Sequence, residues 1–289
     1  MPADAMSPKE RFNAFLGGKP MDRFLCVPLI LNHAARASGV PIGRYNRDGA
    51  LMGRCHARAW RRYGHDLIAI FSDTAILAEA MGTELFYPDD DVPRVERPAV
   101  TGPEDLSRLR APGPQAEGRL PLFLEAVRAA VAEAGAEVPV SCCVPAPFTT
   151  AACLRGTDQF ARDLYRRPEL AHRLIRMSLD CALRFINDVA DAGGIPIIVD
   201  PIATGSVLSR KMFDEFALPA LRVCHAAIAA RGLPPVLHIC GRTSRILDSM
   251  AESRAALLSL DDISMEEARD CVSARVGLMG NVRSVQTLL

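Results

Sequence analysis

Short apolar runs alternate along the chain with longer stretches in which apolar residues recur at helical spacing. The runs lack the polar–apolar alternation of a half-exposed strand, so they are typical of strands buried on both faces. Buried strands that alternate with helices predict a parallel sheet covered by helices. Seven such strands end near Leu31, Phe71, Cys143, Val199, Cys240, Leu260 and Met279.

Capping signals predict where the helices begin and end. Ser7-Pro8-Lys9-Glu10 is a capping box with proline in the first turn, and Gly17-Gly18 ends this N-terminal helix, residues 7–17. Ser264-Met265-Glu266-Glu267 is a second capping box, near the end of the chain. Further helices are predicted at about 47–63, 120–134, 168–193, 209–231 and from 244 onward.

This order of elements fits a (β/α)8 barrel, the TIM barrel, better than an open Rossmann sheet, because no glycine-rich turn follows the first strand. We expect Phe12 and Phe15 of the N-terminal helix to plug one end of the barrel. Only eight residues follow Asn281, so the eighth strand is missing from the count. The expectation is one α/β domain, residues 1–289, that lacks its last strand–helix unit.

A stretch rich in proline and glycine, about residues 83–118, interrupts the alternation. Such a stretch predicts a loop or hairpin excursion from the barrel. Long excursions on a compact scaffold often line the mouth of a site.

Composition narrows the class of protein. Of the 289 residues 49% are hydrophobic, and 34 basic and 34 acidic side chains cancel. Zero net charge argues against nucleic acid or an anionic membrane as a partner. No apolar run approaches the ~18 residues that span a bilayer, and the N-terminus lacks the features of a signal peptide. Nine cysteines without regular spacing therefore predict reduced thiols in a cytoplasmic protein.

Polar residues stand at the C-terminal ends of six predicted strands. They are Asp73, Cys142 with Cys143, Asp200, His238 with Cys240, Asp261 with Asp262, and Asn281. The C-terminal ends of barrel strands meet on the face that carries the active site. Asp and Asn at strand ends can also cap the next turn, and that alternative stands for each of them taken singly.

His238 and Cys240 are the pair with the most specific chemistry. They lie two positions apart in the run that ends at Gly241, so their side chains point to the same face of the strand. Imidazole and thiolate are the commonest zinc ligands in proteins, which makes the pair a candidate zinc site. A hydrogen-bonded histidine beside a buried thiol is the structural alternative.

Several segments resemble motifs of the uroporphyrinogen decarboxylase superfamily, and the resemblance covers nearly the whole chain. The segments are Phe71-Ser72-Asp73-Thr74, Ala78-Glu79-Ala80-Met81-Gly82, Pro147-Phe148-Thr149-Thr150-Ala151, Asp200-Pro201-Ile202-Ala203-Thr204-Gly205 and Gly280-Asn281-Val282. The decarboxylases of this superfamily carry an RQAGRY motif after the first strand. Here that stretch is Asn32-His33-Ala34-Ala35-Arg36-Ala37, in which only Arg36 remains.

The cobamide-dependent methyltransferases form the other branch, and their H-x-C-G signature is matched by His238-Ile239-Cys240-Gly241. The resemblance implies a zinc-dependent methyltransferase that moves a methyl group between a corrinoid, carried by a partner protein, and a thiol such as coenzyme M. It implies zinc on His238 and Cys240, with Asp261 as an exchangeable ligand and Asp262 as its rival. Asp73, Asp200 and Asn281 become candidate catalytic residues.

A third sulfur ligand is not identified. In the resembled branch a cysteine on the eighth strand completes the zinc site, but no cysteine follows Cys271, which falls on an outer helix. Cys142 and Cys143 are alternatives, with small buried thiols as the structural interpretation. Two other functions stay open: a tetrapyrrole decarboxylase, and a metal-free barrel that binds a corrinoid or tetrapyrrole partner. An incomplete barrel exposes strand edges, so we expect an oligomer.

Overall fold

The computed structural model describes residues 4–109 and 118–283. The strands are β1 (Ile68–Ile70), β2 (Glu84–Phe86), β3 (Arg94–Arg97), β4 (Val140–Pro145), β5 (Ile195–Val199), β6 (Val236–Ile239), β7 (Leu257–Leu260) and β8 (Gly277–Met279). Six of them form one sheet in the order β1-β4-β5-β6-β7-β8. Every neighbouring pair in that sheet is parallel, so the predicted parallel α/β architecture of the TIM-barrel type is confirmed.

Helices connect and cover these strands. They are α1 (Pro8–Leu16), α2 (His33–Ala37), α3 (Ile42–Tyr45), α4 (Gly49–Tyr63), α5 (Ile76–Ala80), α6 (Leu120–Ala134), α7 (Pro147–Arg155), α8 (Thr157–Arg166), α9 (Pro168–Asp191), α10 (Arg210–Met212), α11 (Leu218–Ala230), α12 (Leu247–Ala251) and α13 (Met265–Val272). Three of them, α7, α8 and α9, lie between β4 and β5. None of the helices within the described ranges is long and apolar enough to cross a bilayer.

The expected first strand, residues 24–31, is an extended segment without strand pairing, so that prediction is wrong in detail. The Asp66 carboxylate accepts the Cys26 N–H at 2.6 Å, and the Asp66 N–H donates to the Cys26 carbonyl at 2.8 Å. A side chain therefore takes the amide that a strand ladder would use. Pro28 has no N–H, and Leu31 turns to φ 43°, which ends the extended segment.

At the other edge of the sheet, β8 has β7 as its one strand neighbour within the described residues. The prediction about an eighth barrel strand concerns residues beyond Arg283, which lie outside the described ranges. An oligomer formed through this edge stays a prediction.

Residues at alternate positions along the strands belong to two different apolar clusters. One cluster joins the interior positions of the sheet to the N-terminal helix, and it comprises Phe12, Leu67, Phe71, Cys143, Ile197, Val199, Val236 and Leu257, with Phe15 packed against it. Their strand neighbours Ile198, Leu237 and Leu258 belong to the larger cluster beneath the helices. Helix α1 thus lies against one end of the interior, as its phenylalanines predict.

A buried ion network holds α1 in that place. The Arg11 side chain is fully buried and donates to Asp22 at 2.7 Å and to Asp66 at 2.5 Å. Arg23 donates to the second oxygen of Asp66 at 2.6 Å. Asp66 lies two residues before β1, so the network ties α1 directly to the first strand of the sheet.

The predicted excursion contains an antiparallel hairpin of β2 and β3, followed by a 3-10 turn, Pro103–Ser107. Arg155 of α7 donates to the carbonyls of Val100 and Thr101, at 3.0 and 2.5 Å, and to the buried Asp163 carboxylate of α8 at 2.7 Å. The hairpin is therefore followed by a segment fixed to the helices after β4. Residues 110–117 of the excursion lie outside the described ranges.

All nine cysteines are free thiols, and six of them are buried. The buried ones serve as small core residues.

Candidate functional site

His238 and Cys240 lie together at the C-terminal end of β6. His238 Nε2 and Cys240 Sγ are 3.0 Å apart, so the two side chains share the same face of the strand as predicted. Gly241 follows with φ 72°, a left-handed conformation in which glycine avoids the steric cost of a side chain. The chain turns there, and the Gly241 N–H donates to the Asp261 carboxylate at 2.9 Å.

Ser259 holds the other side of the His238 ring. It lies opposite His238 in the β6–β7 register, and its Oγ is 2.9 Å from His238 Nδ1. If the Cys240 thiol donates to Nε2, the ring proton is on Nδ1 and donates to Ser259. The Nε2 lone pair then points at Cys240. Ser259 is not among the residues predicted from the sequence, although its position two residues before Asp261, on the same strand face, is a usable signal.

Burial sets the charge state of the pair. It lowers the pKa of His238, and the Asp261 charge and a hydrogen bond with the Ser259 backbone oppose that effect. Burial and the Asp261 charge together raise the pKa of Cys240 to about 11. The metal-free site therefore holds a neutral imidazole and a protonated thiol at neutral pH.

Asp261 follows β7 and contributes negative charge to both groups, as the two pKa shifts indicate. The Asn281 amide donates to the carbonyls of Asp261 and Ile263, both at 2.6 Å. Asn281 thus fixes the backbone that carries Asp261. The rival carboxylate, Asp262, lies 3.4 Å from the exposed Arg242 guanidinium, towards the surface.

The cysteines proposed as alternative ligands differ in orientation. Cys143 belongs to the interior cluster, and burial together with the nearby Cys240 raises its pKa to about 12. Cys142 belongs to the cluster beneath the helices, and Cys271 is exposed on α13. No three His, Cys, Asp or Glu side chains of the described ranges are arranged to hold a metal ion.

Asp73 lies at the end of β1 in a separate buried cluster. Arg119 donates to both of its carboxylate oxygens, at 2.8 and 3.1 Å, and also to Glu79 at 2.7 Å. Ser72 Oγ and the Ala75 N–H complete the hydrogen bonds of Asp73. Its charge is therefore neutralised by Arg119, a residue that the sequence analysis did not single out.

Asp200 follows β5, and its side chain is directed at the helices. Val199 belongs to the interior cluster and Ile198 to the opposite one, so Asp200 falls on the outer side by alternation. Its Oδ1 accepts from Thr149 of α7, from N at 3.1 Å and Oγ1 at 2.6 Å. Burial raises its pKa to about 7, although the Thr149 bonds oppose the rise. Only its backbone meets the candidate site, where its N–H donates to the His238 carbonyl at 2.9 Å.

The predicted site residues thus fall into three groups. His238, Cys240 and Asp261 come together, and Asn281 supports their loop. Asp73 lies in the arginine cluster, and Asp200 lies behind the strands. Arg119 binds the Asp73 carboxylate, and Thr149 binds that of Asp200. The catalytic roles of Asp73, Asp200 and Asn281 stay predictions.

The profile of the uroporphyrinogen decarboxylase (URO-D) family matches residues 7–289. A methylated-thiol–coenzyme M methyltransferase from Methanosarcina mazei is 29% identical, over 81% of this chain and 63% of the relative. A methylcobamide:CoM methyltransferase from Methanosarcina barkeri is 25% identical, over 97% of this chain and 84% of the relative.

A uroporphyrinogen decarboxylase from Aromatoleum aromaticum is 30% identical, over 76% of this chain and 64% of the relative. The chain therefore spans less than two thirds of the length of two of these three relatives. Among solved structures, a methyltransferase from Methanosarcina mazei superimposes with a TM-score of 0.86 at 24% identity, over 96% of this chain and 83% of that one. At that identity the superposition establishes the fold.

Proposed function

The chain belongs to the uroporphyrinogen decarboxylase family, and on that basis we propose that it is a methyltransferase. Its substrates are a methylated corrinoid, carried by a partner protein, and a thiol or similar acceptor. The observation that carries the proposal is the His238–Cys240 pair at the end of β6, with its 3.0 Å separation, beside Asp261. The similarity to two curated methyltransferases supports it.

The donor set fits zinc. Ligand bonds of about 2.1 Å to imidazole and 2.3 Å to thiolate put two ligands of one tetrahedral ion roughly 3.5 Å apart. His238 Nε2 and Cys240 Sγ reach that spacing by opening about half an ångström. Ser259 holds the ring so that Nε2 faces Cys240, which is the support that a metal-binding histidine usually has. Zinc bound there would supply Lewis acidity, which favours the thiolate form of an acceptor thiol at neutral pH.

Each residue around such a site would have a separate role. His238 and Cys240 would hold the ion, and Asp261 would be the exchangeable ligand beside them. Asn281 keeps the Asp261 loop in place through two backbone carbonyls. The interior beneath β5 and β6, with Val199 and Val236, is apolar.

The transfer itself is a displacement at carbon. The acceptor thiol first releases its proton to solvent. Its thiolate sulfur attacks the methyl group, a carbon–sulfur bond forms, and the electron pair of the carbon–cobalt bond stays with the corrinoid. Cobalt is thereby reduced from the +3 to the +1 state, and the acceptor becomes a methyl thioether.

Decarboxylation of a tetrapyrrole is the second candidate, because a decarboxylase is among the relatives at 30% identity. Two observations count against it. Decarboxylation would need the Asp73 carboxylate to bind the pyrrole nitrogens of the tetrapyrrole. Arg119 already donates to both oxygens of that carboxylate. Arg36, the remaining arginine of the motif, is exposed and lies 3.9 Å from Asp90.

Metal analysis tests the proposal. Wild-type protein purified under zinc-replete conditions should contain about one zinc per chain, and His238→Ala and Cys240→Ala should lose it. The half-exposed His172 and the exposed Cys271 provide matched alanine controls that should keep it. Zinc-free wild type that still transfers methyl groups would contradict the metal site, and zinc-loaded protein without transfer from methylcobalamin to a thiol would contradict the reaction.

A further inference from the structure

The first turns of α9, against which α8 packs, extend beyond the sheet at the end where His238 and Cys240 lie. With 24 residues α9 is about 36 Å long, whereas the five residues of β5 span roughly 16 Å. Because α9 ends four residues before β5 begins, its first half extends past the C-terminal end of β5. His172 of α9 accordingly stacks on Phe216, in the helix that follows β5, with ring centroids 4.6 Å apart.

Positive charge is concentrated on this part of the surface. Residues 157–176 contain five arginines and three acidic residues, in a chain whose total charges cancel. Asp163 is buried against Arg155, so five cations and two carboxylates remain at the surface. None of the five arginines makes an ion pair with any residue of the described ranges. They are Arg162, Arg166, Arg167, Arg173 and Arg176.

A large aromatic side chain accompanies these cations. Tyr165 is 75% exposed and follows Arg162 by three residues, and Arg166 follows Arg162 by four, so all three lie on the exposed side of α8. Tyrosine and arginine are the residues that most often dominate protein interfaces. We call Arg162, Tyr165, Arg166, Arg167 and Arg173 the arginine face.

The arginine face is also rigidly supported. Phe160 and Leu164 of α8 are buried in the core, and the Arg155–Asp163 pair fixes the same helix to α7. A preformed surface loses little conformational entropy when a partner binds.

We propose that the arginine face is the docking surface for an acidic patch on the corrinoid-carrying protein, which rests on the methyltransferase function proposed above. Unpaired cations of one sign beside the site attract a partner of the opposite sign and raise its association rate. The arginine face lies beyond the C-terminal end of β5. A carrier protein bound there is therefore on the side of the molecule from which its corrinoid reaches Cys240. Tyr165 packs at the centre of the interface.

Charge reversal with two methyl donors tests the proposal. The first donor is the methylated corrinoid protein purified, by its cobamide absorbance, from the cells that make this chain, and the second is free methylcobalamin, which needs no protein docking. The test variant is Arg162→Glu/Arg166→Glu. The control is Arg58→Glu/Arg128→Glu, which reverses two exposed arginines on the outer helices α4 and α6.

The test variant should raise the KM for the corrinoid protein by at least about tenfold at low salt, with the difference shrinking as salt is added. Its kcat/KM with methylcobalamin should match wild type, and the control should match wild type with both donors. Tyr165→Ala should raise the KM for the corrinoid protein in the same way.

Equal KM values for the test variant and the control would overturn the docking surface while leaving the methyltransferase intact. A wild type that binds the carrier through the arginine face but transfers nothing from methylcobalamin would overturn the reaction and keep the surface. Failure of wild type to bind the corrinoid protein, or retention of a short DNA duplex by the arginine face in its place, would overturn the docking proposal.

Discussion

Arg119 binds both carboxylate oxygens of Asp73 across 46 residues of sequence, at 2.8 and 3.1 Å, with both side chains buried. The pair joins the start of α6 to the end of β1. Glu79 and Tyr87 extend it, since Arg119 and Tyr87 both donate to Glu79. Asp73 is thereby a fixed part of the barrel rim rather than a free acid.

Removal of Arg119 should be strongly destabilising. Arg119→Met leaves the buried Asp73 carboxylate and the partly buried Glu79 carboxylate without their cation, and a broken buried pair costs about 3–5 kcal/mol. Urea unfolding measures the loss. Arg119→Lys keeps the charge but not the paired hydrogen bonds, so it should lose less. The double variant Asp73→Asn/Arg119→Met should recover part of the loss, and additive losses would contradict the coupling.

Ser259→Ala should weaken zinc binding without removing a ligand. The His238 ring loses the hydrogen bond at Nδ1, and loss of such support usually lowers metal affinity by about 10–100-fold. Competition with a chelator measures the dissociation constant. Ser259→Thr keeps a hydroxyl and should bind more tightly than the alanine variant. Ser249→Ala, which removes a buried hydroxyl on α12 without a hydrogen-bond partner in the described residues, should leave zinc affinity unchanged.

Asp200→Asn should change how stability depends on pH. The pKa of Asp200 is about 7 in the folded protein against a reference of 3.8, so the folded state binds more protons between those values and stability falls as pH rises through that window. Asparagine resembles the protonated form and escapes this loss. Relative to wild type, the variant should therefore gain about 2 kcal/mol between pH 5 and pH 8, measured by urea unfolding.

Thr149→Val is a second test of the pKa of Asp200. The Thr149 hydroxyl bond favours the charged form, so its removal should raise the pKa of Asp200 further and move the pH profile upward. A profile for Asp200→Asn that parallels wild type would show that the carboxyl does not titrate as expected.

Mild acid should destabilise the protein through two buried histidines. Burial lowers the pKa of His56 to about 3 and that of His225 to about 4, from a reference of 6.5. Below that reference the unfolded chain binds more protons, so stability falls as pH falls, by about 1.4 kcal/mol per pH unit for each histidine. The raised pKa of Asp200 has the opposite effect on stability, but it is one group, and the combined effect of the two histidines is larger.

Urea midpoints at pH 7 and pH 5 measure the effect, and the midpoint at pH 5 should be lower. His56→Gln should flatten the profile, because glutamine can still donate to the Tyr45 hydroxyl without titrating. That hydroxyl in turn donates to the Phe71 carbonyl at 2.9 Å, next to Asp73. An unchanged pH slope in His56→Gln would count against the assignment.

Local chemistry made much of the fold readable from the chain alone. The Ser7–Glu10 capping box is formed by both reciprocal bonds, and α6 spans the expected 120–134. The parallel sheet was predictable because its strands are apolar runs. Such a run can be recognised in the sequence without knowledge of the strand that it pairs with. The His238–Cys240 pair followed from the period of two in a strand, which holds wherever the strand lies.

The remaining features depend on contacts between residues distant in sequence. Asp66 takes the Cys26 amide and turns an expected strand into an extended segment. Arg119 neutralises Asp73, and Ser259 orients His238, because the order of the strands brings those pairs together. Asp200 ends its strand like the other candidates, but alternation turns it towards α7. Residue type and spacing therefore determined the elements and the His-x-Cys-Gly site, whereas strand order and facing decided which polar side chains lie at that site and which only support it.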